Sequence, residues 1–161
     1  MSDLEYYRQR FTLEAGSTRS VLERLPEAQS DYRPHPQSPS AGQLFWTIIR
    51  GLQIRLDIVR TNESEVPDRD LYPSHQEMFS SYLDLSSQLE TELATLDQAR
   101  WENKAEFRAG GKIALDWPVR DILWMFHFDV IHHRGQLTSY LRPMGGKVPS
   151  IYGRSGAKSV E

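Results

Sequence analysis

The chain has 161 residues, a net charge of −3 and no cysteine. Disulfide scaffolds, Cys-zinc centres and a protein-borne thiol nucleophile are excluded, so any thiol chemistry needs a thiol from outside. The length suits a single domain, Met1–Glu161, that buries its own core.

The opening "MSDLEYYRQRF" is charged at once and lacks the apolar centre of a secretion signal. The longest apolar run, Ile122 to Phe126, is far below the roughly 18 residues of a membrane span. Basic residues are scattered, with Lys147, Arg154 and Lys158 in the tail, too few to track phosphates. The expectation is a soluble cytoplasmic protein with neither a nucleic-acid nor a membrane partner.

The first predicted helix spans about Leu4–Leu25, with Phe11, Ala15, Thr18, Leu22 and Leu25 alternating at spacings of four and three. Pro26 ends it, and "DYRPHPQSPS" follows as a proline-broken loop. The second spans about Ser40–Arg60 and opens on Ser40 and Gln43, the spacing of a capping box. The third, about His75–Leu96, opens on Ser74 and Glu77 in the same way, and carries Met78, Tyr82, Leu85, Leu89, Leu93 and Leu96 on one face.

"RWENKAEFRAGGKIALDW" breaks the helical pattern around Gly110-Gly111, as a small hairpin or an irregular loop. Pro118 suits the first turn of the fourth helix, about Pro118–Leu141. Pro143, Gly145 and Gly146 terminate it and begin a tail, Arg142–Glu161. The expected fold is all-α, a four-helix bundle with a short hairpin or irregular segment between the third and fourth helices.

On the fourth helix Ile122, Phe126, Asp129, His133, Leu137 and Tyr140 share one face, with Asp129 and His133 one turn apart. His132 falls at the edge of that face and His127 well away from it. Trp124, Phe128, Ile131, Gly135 and Thr138 form a second stripe. The second helix also has two, Leu44, Thr47, Gly51, Ile54 and Ile58 on one side and Phe45, Ile49, Leu52 and Leu56 on the other. A helix apolar on both sides must be covered on both sides, and a two-fold homodimer is the expected cover. The rival is that the first helix or residues 100–117 fold over one stripe.

"HHRGQLTSYLRPMGGKVPSIYG" together with "YRPHPQSPSAGQL" resembles the DinB-like family, over about Asp31–Gly153. The resemblance implies a four-helix bundle, usually homodimeric, and metal-dependent chemistry related to bacillithiol- or mycothiol-dependent transferases. The family's triad, one histidine on the second helix and an HxxxH pair on the fourth, falls on or beside Thr47 and on Asp129 and His133. His133 is retained, Asp129 is a carboxylate able to bind Zn, Ni, Mn or Fe, and the Thr47 hydroxyl is a poor ligand. A divalent metal is therefore expected to bind weakly or not at all. His35 and His132 are the possible substitutes, one on the proline-rich loop and one off the central stripe.

The expected pocket comprises Thr47, Asp129, His132, Gln136 and Tyr140, with Asp129 and His133 the candidate metal ligands. His133 is the candidate catalytic residue, oriented as a general base by Asp129, with Gln136 or Tyr140 orienting. The function implied is a metal-dependent transferase or hydrolase with a degenerate site, acting through an external thiol or activated water on an unknown small molecule. The alternative is a non-catalytic binding or interaction bundle in which Asp129 and His133 are a structural pair satisfied by Gln136 and Thr47.

Overall fold

The computed structural model describes residues 1–66 and 72–153. The tail beyond Gly153, with Arg154 and Lys158, lies outside the described residues. The chain runs α1 (Asp3–Leu22), a 3-10 turn (Glu27–Gln29), α2 (Ala41–Thr61), β1 (Glu63–Glu65), α3 (His75–Thr95), α4 (Gln98–Glu102), β2 (Lys104–Ala109), β3 (Lys112–Pro118) and α5 (Val119–Leu141).

The four long helices start where the sequence signals them. Ser40 and Gln43 exchange bonds, Gln43 N donating to Ser40 Oγ at 3.2 Å and Ser40 N to Gln43 Oε1 at 2.8 Å. Ser74 and Glu77 do the same at α3, and Ser2 and Glu5 at α1, so each satisfies otherwise orphaned N–H groups. Helix α1 stops at Leu22, three residues short of the expected Leu25, which still packs inward from the following turn.

A purely helical bundle is not what forms. The Gly110-Gly111 segment makes a two-residue hairpin, both glycines at positive φ (58° and 74°), a left-handed pair that L side chains resist. Strand β2 pairs antiparallel with β3, with a bulge between Phe107 and Arg108. It also pairs in parallel with β1, Ser64 opposite Phe107. Asn62, at φ 60°, ends α2 in the left-handed region and turns the chain into that third strand. The inward residues of β2, Ala105 and Phe107, join the core, and Phe107 meets Phe126 edge-on at 4.9 Å.

Helix α2 lies at the centre, against α3 on one side and α5 on the other, and both its stripes are buried. Phe45, Ile49 and Leu52 are each at most 2% exposed. On α5, Trp124 packs against Tyr6 and Tyr7 of α1, and Ile131 lines a small cavity that α1 closes. The second stripes are thus covered largely by the chain itself, through α1 and α3. Among the apolar side chains of these stripes, Phe128 stands out in solvent, 61% exposed.

Helices α2 and α5 press close together at Gly51. A Cβ there would lie 2.9 Å from Val130 Cγ2, inside contact distance of a branched, stiff side chain. Gly135, by contrast, faces open space. Gly51→Val is expected to cost about 1–3 kcal/mol by overpacking. Gly135→Ala should be neutral or add up to about 1 kcal/mol from helix propensity. Urea unfolding of the two variants checks both.

Candidate functional site

Asp129 and His133 meet as the i, i+4 spacing requires, His133 Nε2 donating to Asp129 Oδ1 at 3.3 Å. Gln136, one turn further on, presents Oε1 to His133 Nδ1 at 2.8 Å. Both ring nitrogens therefore face oxygen acceptors, which favours the imidazolium. The bond to Asp129 raises the His133 pKa from its ordinary 6.5, against the effect of burial, and Gln136 adds to the rise. The same bond lowers Asp129 below its ordinary 3.8, again against burial.

The pair is at the rim, not in the core as the helical stripe suggested. The Asp129 side chain is 43% exposed and that of His133 20%. A fully buried pair would leave a costly orphan on losing one partner. Here solvent screening holds the coupling to about 1 kcal/mol or less.

His133 opens onto a cleft of about 310 Å³ shared with Pro39, Gln43, Trp46, Thr47 and Arg50. Of the residues expected around it, Thr47 is present and Gln136 braces the ring. Thr47 does not help satisfy the pair, because its Oγ1 donates to Gln43 O of its own helix at 2.9 Å. Tyr140 is displaced from the role expected for it. Its hydroxyl donates to Pro39 O at 3.1 Å and its ring meets Tyr32 edge-on, so it fastens the loop that forms the cleft wall. His132 is exposed, its ring 5.2 Å from that of His133. His35 is exposed on its loop, its Nδ1 accepting from Gln37 N.

These donors do not fit a tightly held divalent ion. A zinc-type site needs about three protein ligands, and Asp129 and His133 supply two that are already bonded to each other. Among the described residues no group of three His, Asp or Glu side chains is arranged to hold a metal.

The chain also contains a buried polar cluster that helical periodicity missed. Arg55, 1% exposed, donates to Gly51 O at 3.1 Å, and its Nη1 meets His127 Nδ1 at 3.1 Å. His127, expected to point away from the core face, is itself buried, because α1 covers that side of α5. Burial, and then the Arg55 cation, push its pKa down to about 3. A neighbouring cavity of about 10 Å³, room for one water, is lined by Glu14, Thr18, Arg55, Tyr82 and His127.

Next to it Arg134 donates to Glu14 Oε2 at 2.5 Å and to the Tyr152 hydroxyl at 2.6 Å, and that hydroxyl donates to Glu14 Oε2 at 2.6 Å. Burial works to raise the Glu14 pKa, but the bonds from Tyr152 and Arg134 keep it below the ordinary carboxylate value. Arg134 and Tyr152 both lie in the segment that carried the family resemblance, and their place in it was the available signal. They hold the tail to α1 and α5.

The two histidines give opposite pH slopes. His133, raised in the fold, contributes stability that is complete below 6.5 and lost as pH climbs through its folded value. His127, depressed to about 3, stays neutral while the unfolded chain protonates, so stability is lost as pH falls below 6.5. His127 contributes at most about 1.4 kcal/mol per pH unit to the acid-side slope. Unfolding free energy is expected to peak near neutral pH, and His127→Gln should flatten the acid limb.

The matches to known proteins agree with this architecture. The DinB superfamily profile matches residues 10–137. A DinB-like protein from Bacillus cereus superposes with a TM-score of 0.76 at 21% identity, over 92% of this chain and 97% of that one. A DinB-like protein from Bacillus subtilis gives 0.72 at 17% identity, over 92% and 99%. A mycothiol-dependent maleylpyruvate isomerase gives 0.64 at 13% identity, over 83% of this chain and 60% of that one. No curated protein matches. With its profile covering most of the sequence, the chain belongs to the DinB superfamily.

Proposed function

We propose that this chain processes a small molecule in the cleft beside His133, by transfer or hydrolysis with an external thiol or water, and without a tightly held metal. The observation that carries this is the Asp129–His133–Gln136 chain opening onto the cleft while Thr47, at the third ligand position, is turned to its own backbone. In the neutral form with its proton on Nδ1, held by Gln136 Oε1, His133 takes the S–H or O–H proton of the nucleophile on the free Nε2. Asp129 stabilises the imidazolium, and the proton is returned to the leaving group. A second reading, binding without chemistry, is favoured by the engagement of both ring nitrogens.

Titration calorimetry of protein purified without a histidine tag, with Zn²⁺ and Ni²⁺, tests the metal claim. Binding is expected to be weak or undetectable, and Thr47→His is expected to raise affinity at least tenfold by adding a third strong ligand. Stoichiometric tight metal that survives Asp129→Ala would overturn it.

A two-fold dimer belongs to the same proposal, now supported by the exposed Tyr6, Leu13 and Phe128 on α1 and α5 rather than by the buried stripe of α2. Sedimentation at micromolar concentration should give a dimer mass that Phe128→Glu reduces to monomer. Ile49 is no probe of this interface, because a charge there enters the core.

A further inference from the structure

Beyond α5 the chain turns back on itself. Gly146 N donates to Leu141 O at 2.7 Å, and Gly145 takes a φ of 78°, open to glycine at little cost. A Cβ on Gly146 would lie 3.1 Å from Arg24 O, so this turn sits at the end of α1. Tyr152 then reaches Glu14, further back on the same helix. From Arg24 to Glu14 is about 15 Å at the rise of a helix. Six extended residues reach roughly 20 Å, so the chain from Gly146 to Tyr152 runs close to straight back along α1.

This returning segment is held unevenly. Val148 and Ile151 pack half-buried against the core and Pro149 is buried. The backbone of residues 147–152 nevertheless makes no hydrogen bond to any other described residue. Its polar hold is one side chain: the Tyr152 hydroxyl donates to Glu14 Oε2 and accepts from Arg134 Nη2, both at 2.6 Å. The Tyr152 ring also lies under the Arg134 guanidinium, 5.4 Å away. Tyr152 is itself 71% exposed, so the hold is made at the surface. A segment with solvated backbone and few polar ties opens at lower free energy than the helices beneath it.

We infer that residues 147–153 are a strap that opens as a unit about Gly145 and Gly146 while the helices stay folded, with the Tyr152 hydroxyl as its latch. Opening uncovers Glu14 and Arg134, but these remain bonded to each other, so neither charge is left without a partner.

Lys147 reports the opening. It is exposed, but Met144 and Pro149 on either side are buried, so a protease cannot take the flanking residues until the strap lifts. Cleavage by a lysine-specific protease is followed by mass spectrometry as a new terminus at Val148. Its rate tracks the open population when reclosing outpaces cleavage. In the unmutated protein the rate is expected to be nearly independent of urea below the unfolding transition, because a short segment exposes little surface. Tyr152→Phe keeps the ring over Arg134 and removes two bonds to charged groups. It should raise the rate at least tenfold, with the urea dependence still flat. A rate in the unmutated protein that climbs with urea as steeply as global unfolding overturns the strap as a separate unit, whether or not the variant folds. Cleavage as fast as in an unstructured peptide spanning the same bond overturns it too. An unchanged rate in folded Tyr152→Phe protein overturns the latch.

Discussion

The close approach of α2 to α5 at Gly51 and Val130 is the constraint on which the rest of the structure depends. With no Cβ at Gly51, the two helices come near enough for Thr47 and Arg50 to share a cleft with His133. The same approach makes α2 the central helix, so both its apolar stripes are consumed within the chain. One glycine therefore bears on core packing, on the width of the cleft and on how little of α2 is left for a partner.

Two polar systems sit on opposite sides of α5 with different physics. Asp129 and His133 are at a solvated rim, where they can exchange protons and partners with a ligand. Glu14, Arg134 and Tyr152, with Arg55 and His127 beside them, are bonded mainly among themselves. Of these, Glu14, Arg55, His127 and Arg134 are buried, so loss of any of them leaves a desolvated partner behind, whereas Tyr152 reaches them from the exposed surface. The segment that carried the resemblance therefore combines fastening with a place at the cleft: Arg134 and Tyr152 secure the tail, and His133 faces the cleft.

Thr47, Asp129 and His133 stand where the resemblance places a metal triad, and each is engaged within the chain. Two facing donors now satisfy each other, and Thr47 serves its own helix. On the function proposed above, the reacting group is a histidine tuned by a carboxylate.

The sequence by itself determined the four long helices, the capped starts of α2 and α3, the break at Gly110-Gly111 and the Asp129–His133 pair, because all are local. Each depends on residues within about one turn, where periodicity and capping chemistry act. Only the tertiary structure decided which faces are covered. Strand β1 is three residues long and exists because β2 lies beside it. His127 is buried because α1 crosses that side of α5, and Asp129 is left half-solvated at the rim. Burial is a property of neighbours distant in the chain, and a helical stripe specifies a face without specifying what it meets.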